Sequence, residues 1–182
     1  KFNFENTTFA WSDAPLYYGV IRFFKPTQII EVGGGNSTIL AQLACLKNET
    51  GKITVIDPFL SDSFKNEFNS KTDILEKPVQ DIPISFFKNL KQNDILFIDG
   101  SHVSRTGSDV NYLFLDVLEK LNSGVLVHIH DIFLPDPFPK EWAKNHLLFW
   151  NEQYMLQAFL IGNKNFEILF ANNYLAMNHF GI

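Results

Sequence analysis

The chain has 182 residues, 46% of them apolar and 19% charged, and a formal net charge of −5, the make-up of a soluble globular protein with enough chain to bury a core. Its lysines (Lys47, Lys52, Lys65, Lys71, Lys77, Lys88 and Lys91 among them) stand singly, which argues against nucleic acid as a partner, because phosphate neutralisation needs concentrated positive charge. No apolar run reaches bilayer length, no signal peptide is visible, and the lone Cys45 allows no disulfide within the chain, so a cytoplasmic protein without a membrane partner is expected.

Strands and helices alternate along the chain, the order of a parallel sheet covered on both faces. A helix begins near Ser12 and Asp13, tolerates Pro15 in its first turn, and stops before Pro26. Residues 28–32 are a short apolar strand, broken by Gly33, Gly34 and Gly35, and Asn36, Ser37 and Thr38 open the next helix, which runs to about Lys47. A second strand covers 52–56, followed by Asp57 and Pro58; a helix covers 61–68, a third strand 73–76, and a short helix 84–90.

Residues 94–98 (DILFI) read as a strand buried on both faces. After the loop 99–105, a helix runs to about Leu121 with Val110, Leu113, Phe114, Val117 and Leu118 on its apolar side, and a fifth strand covers 124–129. Three prolines make 132–140 a loop, and 141–160 is helical with a break near Leu148. Two last strands, 166–170 and 174–177, are expected to form a hairpin around Asn172 and Asn173. The expected fold is therefore α/β: one domain over residues 1–182, doubly wound, with a mostly parallel seven-stranded sheet and an antiparallel C-terminal hairpin strand. Residues 1–12 form an N-terminal extension and 132–150 a lid, for which Phe133, Phe138, Trp142, Trp150 and Tyr154 supply the aromatic surface. A core-facing aromatic set explains the same residues equally well.

The glycine turn after the first strand lets a ligand approach backbone and helix N–H groups closely. It is not a dinucleotide fingerprint, because Thr38 stands where the third glycine belongs. Glu31, two residues before Gly33, would repel a pyrophosphate and suits a cationic ligand. Asp57 at the end of the second strand can accept hydrogen bonds from both ribose hydroxyls of a nucleoside, or simply cap the turn before Pro58.

Residues 31–36 (EVGGGN), Asp57 after a strand and Asp99 after the fourth strand resemble the class I S-adenosylmethionine-dependent methyltransferases, from about Asp13 to the C-terminus. Residues 97–112 (FIDGSHVSRTGSDVNY) with 127–135 (VHIHDIFLP) resemble more narrowly the methyltransferase type 24 family. The resemblance implies that Gly33 and Gly35 lie against the methionine part of S-adenosylmethionine, with Glu31 near its amino group and Asp57 on its ribose. Residues 77–82 are similar to the adenine-lining segment of catechol-type methyltransferases, which puts Val79 and Gln80 on the adenine; Gly34, Asn36, Ser37 and Asp99 complete the implied cofactor set.

Ligands in open α/β sheets sit beyond the carboxyl ends of the strands, where Asp99, Ser101 and His102 form one polar cluster and His128, His130 and Asp131 another. Neighbouring strands lie about 4.8 Å apart, so Asp99, His130 and Asp131 are expected to converge. Three readings stay open. Asp99, His130 and Asp131 offer two carboxylates and an imidazole to a divalent metal; catechol-type relatives hold magnesium there with acid, acid and amide, and His130 departs from that set. His102 or His130, with Asp131, could instead take the proton from a substrate hydroxyl. Or the histidines are structural.

Arg105 could anchor an acidic substrate group. Ser101 lacks the strained turn of a hydrolase nucleophile. The expected reaction is methyl transfer to the hydroxyl oxygen of a small molecule, a sugar-containing or other secondary metabolite on grounds of the resemblance. Two rivals remain: a metal-dependent oxygenase-like relative on the same scaffold, and a non-catalytic domain of a larger protein. A homo-oligomer or a parent multidomain protein stays open.

Overall fold

A computed structural model describes the chain except residues 1, 4, 7, 10, 11 and 180–182, and the side chain of His179. The sheet is built from five short apolar strands: β1 (Gln28–Val32), β2 (Lys52–Ile56), β3 (Thr72–Leu75), β4 (Ile95–Ile98) and β5 (Leu126–Ile129). They lie in the order β3-β2-β1-β4-β5, every pair parallel. Chain direction outward from β1 reverses between β1 and β4, the switch point at which open α/β sheets bind ligands. The fold is a Rossmann-like α/β fold with a parallel sheet.

Among the described residues the expected seven strands are five, and the antiparallel hairpin is absent. Residues 166–170 have no regular structure, and Asn172–His179 is a helix. The short apolar run 174–177 holds Leu175, Ala176 and Met177, all good helix formers, and a run of that length does not separate helix from strand by period. Asn173, expected in the hairpin turn, instead donates from Nδ2 to the Phe133 carbonyl at 2.6 Å and to Asp136 Oδ2 at 3.0 Å.

The chain falls into two compact units: Lys1–Gly100 with Lys120–His130, and Ser101–Glu119 with Asp131–Ile182. The first contains the sheet, α1 (Asp13–Phe24), α2 (Asn36–Asn48), α3 (Asp62–Glu67) and α4 (Ile84–Phe87). In α1, Ala14, Tyr17 and Ile21 recur on one face and are buried, as the helical period requires. The helix ends on Lys25 in the left-handed conformation, before Pro26. Phe2 and Phe9, from the segment expected to be a mere extension, join this core beside Ile29, Ile53 and Phe97. β4 is buried at all four positions, as its unbroken apolar run predicts.

The second unit holds α5 (Asp109–Tyr112), a π-helical stretch Leu113–Val117, α6 (Lys140–Asn145), α7 (Glu152–Leu160) and α8 (Asn172–His179). The single helix expected to Leu121 is thus α-helical, then π-helical, then 3-10 over Leu118–Lys120. The helix expected over 141–160 is interrupted between α6 and α7. Phe114 in the π stretch meets Phe159 of α7 edge to face, centroids 6.2 Å apart. Among the described residues no helix is long and apolar enough to cross a membrane.

Candidate functional site

The parallel ladder runs one step past the strands and places the polar residues that follow them. Gly33 donates to the Ile56 carbonyl at 3.0 Å, Asp57 to Leu75 at 3.2 Å, Asp99 to Val32 at 2.8 Å and His130 to Ile98 at 2.9 Å. Gly33, Asp57, Asp99 and His130 therefore line up along one edge of the sheet by backbone bonding alone.

Gly33 has φ +86, and a Cβ there would lie 1.9 Å from the Asp99 carbonyl oxygen; both facts demand glycine. At Gly34 a Cβ would come within 2.5 Å of Val55. Gly35 differs: its nearest neighbours would be Phe64 ring carbons at 3.6 Å, ordinary contact, so the protein's own packing does not require glycine at that position. Beside the turn lies a hollow of ≈ 210 Å³ lined by Thr8, Phe9, Phe64 and Asp99 together with the run 34–37. Asp99 is the charged side chain among these, and among the described residues no Lys or Arg joins it. The Asp99 carboxylate in that lining suits a ligand that carries positive charge.

Asp57 caps the turn from the β2 side. Its Oδ2 accepts from the Gly34 N–H at 3.1 Å and its Oδ1 from the Phe59 N–H at 2.8 Å. A carboxylate has about four acceptor sites, so these bonds leave capacity for hydroxyls of a ligand. Val79 and Gln80 sit on the 3-10 turn Val79–Asp81 after β3; Val79 is buried, and neither lines the hollow.

Glu31 is fully buried below the turn. The Tyr17 hydroxyl donates to its Oε1 at 2.9 Å, and the Thr38 hydroxyl donates to its Oε2. Burial pushes the carboxyl up to about 7, against the lowering effect of these two donors. Thr38 Oγ1 also accepts from the Gly35 N–H at 3.2 Å. The residue that spoils the dinucleotide pattern therefore ties the buried acid to the glycine turn.

His128 and His130 stack on Phe97 at 4.4 and 5.9 Å between centroids, and His130 also meets Phe9 at 5.1 Å. Burial, then the adjacent His130, press the His128 imidazole down to about 3, so it is neutral at physiological pH.

In the second unit, His102 is buried with φ +57, and Asp131 has φ +54; left-handed backbone at non-glycine residues concentrates at functional sites. His102 Nδ1 is 2.9 Å from Oε2 of the fully buried Glu152, and Nε2 is 3.9 Å from Asp131 Oδ2. The Trp150 ring packs on the imidazole at 4.0 Å, and Trp150 continues through Trp142 and Phe138 to Phe133 and Tyr154 in edge and stacked contacts. The five expected lid aromatics do cluster, with His102 at the end of the cluster. Arg105 is exposed.

The two expected histidine bases thus belong to different units: His130 to the sheet, His102 to the loop and helix unit. Sequence reasoning missed Glu152, which sits 50 positions after His102 with no motif to link them, and Thr8, Phe9 and Phe64 at the hollow.

A family described as a methyltransferase domain matches residues 30–132. An uncharacterized protein of Archaeoglobus fulgidus is 33% identical over 109 residues, covering 56% of this chain and 49% of that protein, so the chain spans about half the length of this curated relative. Among solved structures, the O-methyltransferase TomG from Streptomyces achromogenes, involved in tomaymycin synthesis and solved in complex with SAM, aligns with a TM-score of 0.55. It shares 18% identity over 88% of this chain and 73% of its own, a likeness of fold.

Proposed function

The chain belongs to the type 24 methyltransferase-domain family, and on that premise we propose that it transfers a methyl group from S-adenosylmethionine to a hydroxyl oxygen of a small molecule. The observation that carries this reading is the hollow over the glycine turn, whose lining among the described residues includes the Asp99 carboxylate and no Lys or Arg. S-adenosylmethionine fits the chemistry of that lining: it brings a sulfonium and an ammonium to a carboxylate, and ribose hydroxyls to Asp57. When bound, it supplies a methyl group already activated by positively charged sulfur.

The protein's part is to hold and orient. Gly33, Gly34 and Gly35 let the ligand lie against backbone, and Asn36 and Ser37 offer the start of α2. Asp57 takes the ribose, Val79 and Gln80 the adenine side, and Asp99 the cationic end. Glu31 acts from beneath, bracing the turn through Thr38, rather than by direct contact from an exposed position.

His102 is the residue best equipped to take the hydroxyl proton of the acceptor, at Nε2, with Asp131 alongside. His130, in an aromatic stack, has the surroundings of a packed imidazole. Magnesium prefers oxygen ligands, so the expected set of Asp99, His130 and Asp131 fits that ion poorly, and no step is assigned to a metal.

Calorimetric titration with S-adenosylhomocysteine tests the cofactor half. Saturable binding is expected, and Asp57→Ala should weaken it tenfold or more, since a hydrogen bond to a charged group is worth about 1.5–3 kcal/mol. Absence of binding at saturating ligand would overturn the reading. Methyl transfer to a panel of hydroxylated small molecules then tests the acceptor half.

A further inference from the structure

We infer that Glu152 is a positioning residue that fixes the ring orientation and tautomer of His102. The local chain is built for this contact. The His102 carbonyl accepts from the N–H groups of both Asn151 and Glu152, at 3.0 and 3.2 Å. Asn151 Oδ1 accepts from the Ser104 N–H at 2.6 Å. The loop carrying His102 is thereby clamped to Asn151, which precedes α7, and to Glu152, its first residue, whose backbone donors would otherwise be unused at a helix start. The clamp sets Glu152 Oε2 at 2.9 Å from Nδ1.

An ionised carboxylate only accepts, so beside an ionised Glu152 a neutral His102 ring carries its hydrogen at Nδ1 and keeps the lone pair at Nε2. Trp150, packed on the ring at 4.0 Å, opposes rotation. Nε2 faces the Asp131 carboxylate at 3.9 Å, too far for a direct hydrogen bond. The arrangement presents a hydrogen-bond acceptor in a fixed direction, as a base that receives a hydroxyl proton requires. The catalytic use of that acceptor rests on the methyl-transfer reading; the tautomer does not.

The test therefore has two arms. Long-range nitrogen–proton spectra of the 15N-labelled full chain, in mildly alkaline buffer and without ligand, should show His102 protonated at Nδ1 alone; the His102→Gln spectrum assigns the signals. Protonation at Nε2, or at both nitrogens, overturns the inference whatever the chain catalyses. Glu152→Gln, whose amide oxygen still accepts, should keep the tautomer, and Glu152→Leu should release it to a mixture. In a methyl-transfer assay Glu152→Leu should lower kcat by on the order of 10²-fold with KM for S-adenosylmethionine unchanged, and Glu152→Gln should recover much of the loss. An equal loss in both variants, or a loss confined to KM, counts against a positioning role. Failure to bind S-adenosylhomocysteine, with the tautomer as stated, sinks only the methyl-transfer reading.

Discussion

Two buried glutamates show how differently the two units treat a carboxyl group. Glu31 and Glu152 are both inaccessible to solvent, yet Glu31 meets two hydroxyl donors and Glu152 meets an imidazole. In the sheet unit the acid is a brace: Tyr17, Thr38 and the glycine turn converge on it, and burial raises it to about 7. In the helical unit the acid faces a group that can itself carry a proton. Hydroxyls hold a carboxylate still; an imidazole is oriented by it. The first arrangement shapes a cradle and the second aims a lone pair.

The sharpest way to break this contrast is at the turn itself. Gly33→Ala combines a left-handed backbone with a Cβ placed 1.9 Å from a carbonyl oxygen, and should cost about 3 kcal/mol or more in urea denaturation. A near-neutral effect would mean that the turn yields to a side chain and is not held against Asp99.

Next in size is the pH dependence of Glu31. Its native carboxyl titrates near 7 against an ordinary 4.5, so between these values the folded state keeps a proton that the unfolded chain releases. Stability contributed by this group is complete below pH 4.5 and is lost as pH rises through 7, by roughly 3 kcal/mol. Urea titrations of the wild type and Glu31→Gln across that window should diverge, with the variant showing the flatter profile. Parallel profiles would show that the buried carboxyl does not take up its proton in this window.

The smallest effect belongs to the second unit. Gly162 has φ +71, but a methyl group added there would meet nothing within 4 Å, so Gly162→Ala should cost only the left-handed backbone, about 1 kcal/mol. Thermal melts comparing it with Gly33→Ala separate backbone strain from collision.

Much of the sheet unit is legible in the sequence because its signals are local. The apolar strands, the glycine turn, Asp57 and Asp99 each announce themselves within a few residues, and parallel pairing then brings strand ends together without further information. The C-terminal hairpin expectation fails because the run 174–177 carries no decisive period, and Asn173 serves a tertiary contact with Phe133 and Asp136. The role of Phe9 and Thr8 is hidden for a similar reason: nothing in residues 1–12 marks which side chains return to the hollow.

From sequence alone came the alternation of strands and helices, the family resemblance and the glycine turn after the first strand, because periodicity and turn chemistry are properties of neighbours along the chain. Tertiary structure alone decided that Glu31 lies sealed under Tyr17 and Thr38, and that His102 is paired with Glu152. Those are meetings of residues far apart in sequence, set by how helices pack and where loops are clamped, and no local pattern encodes them.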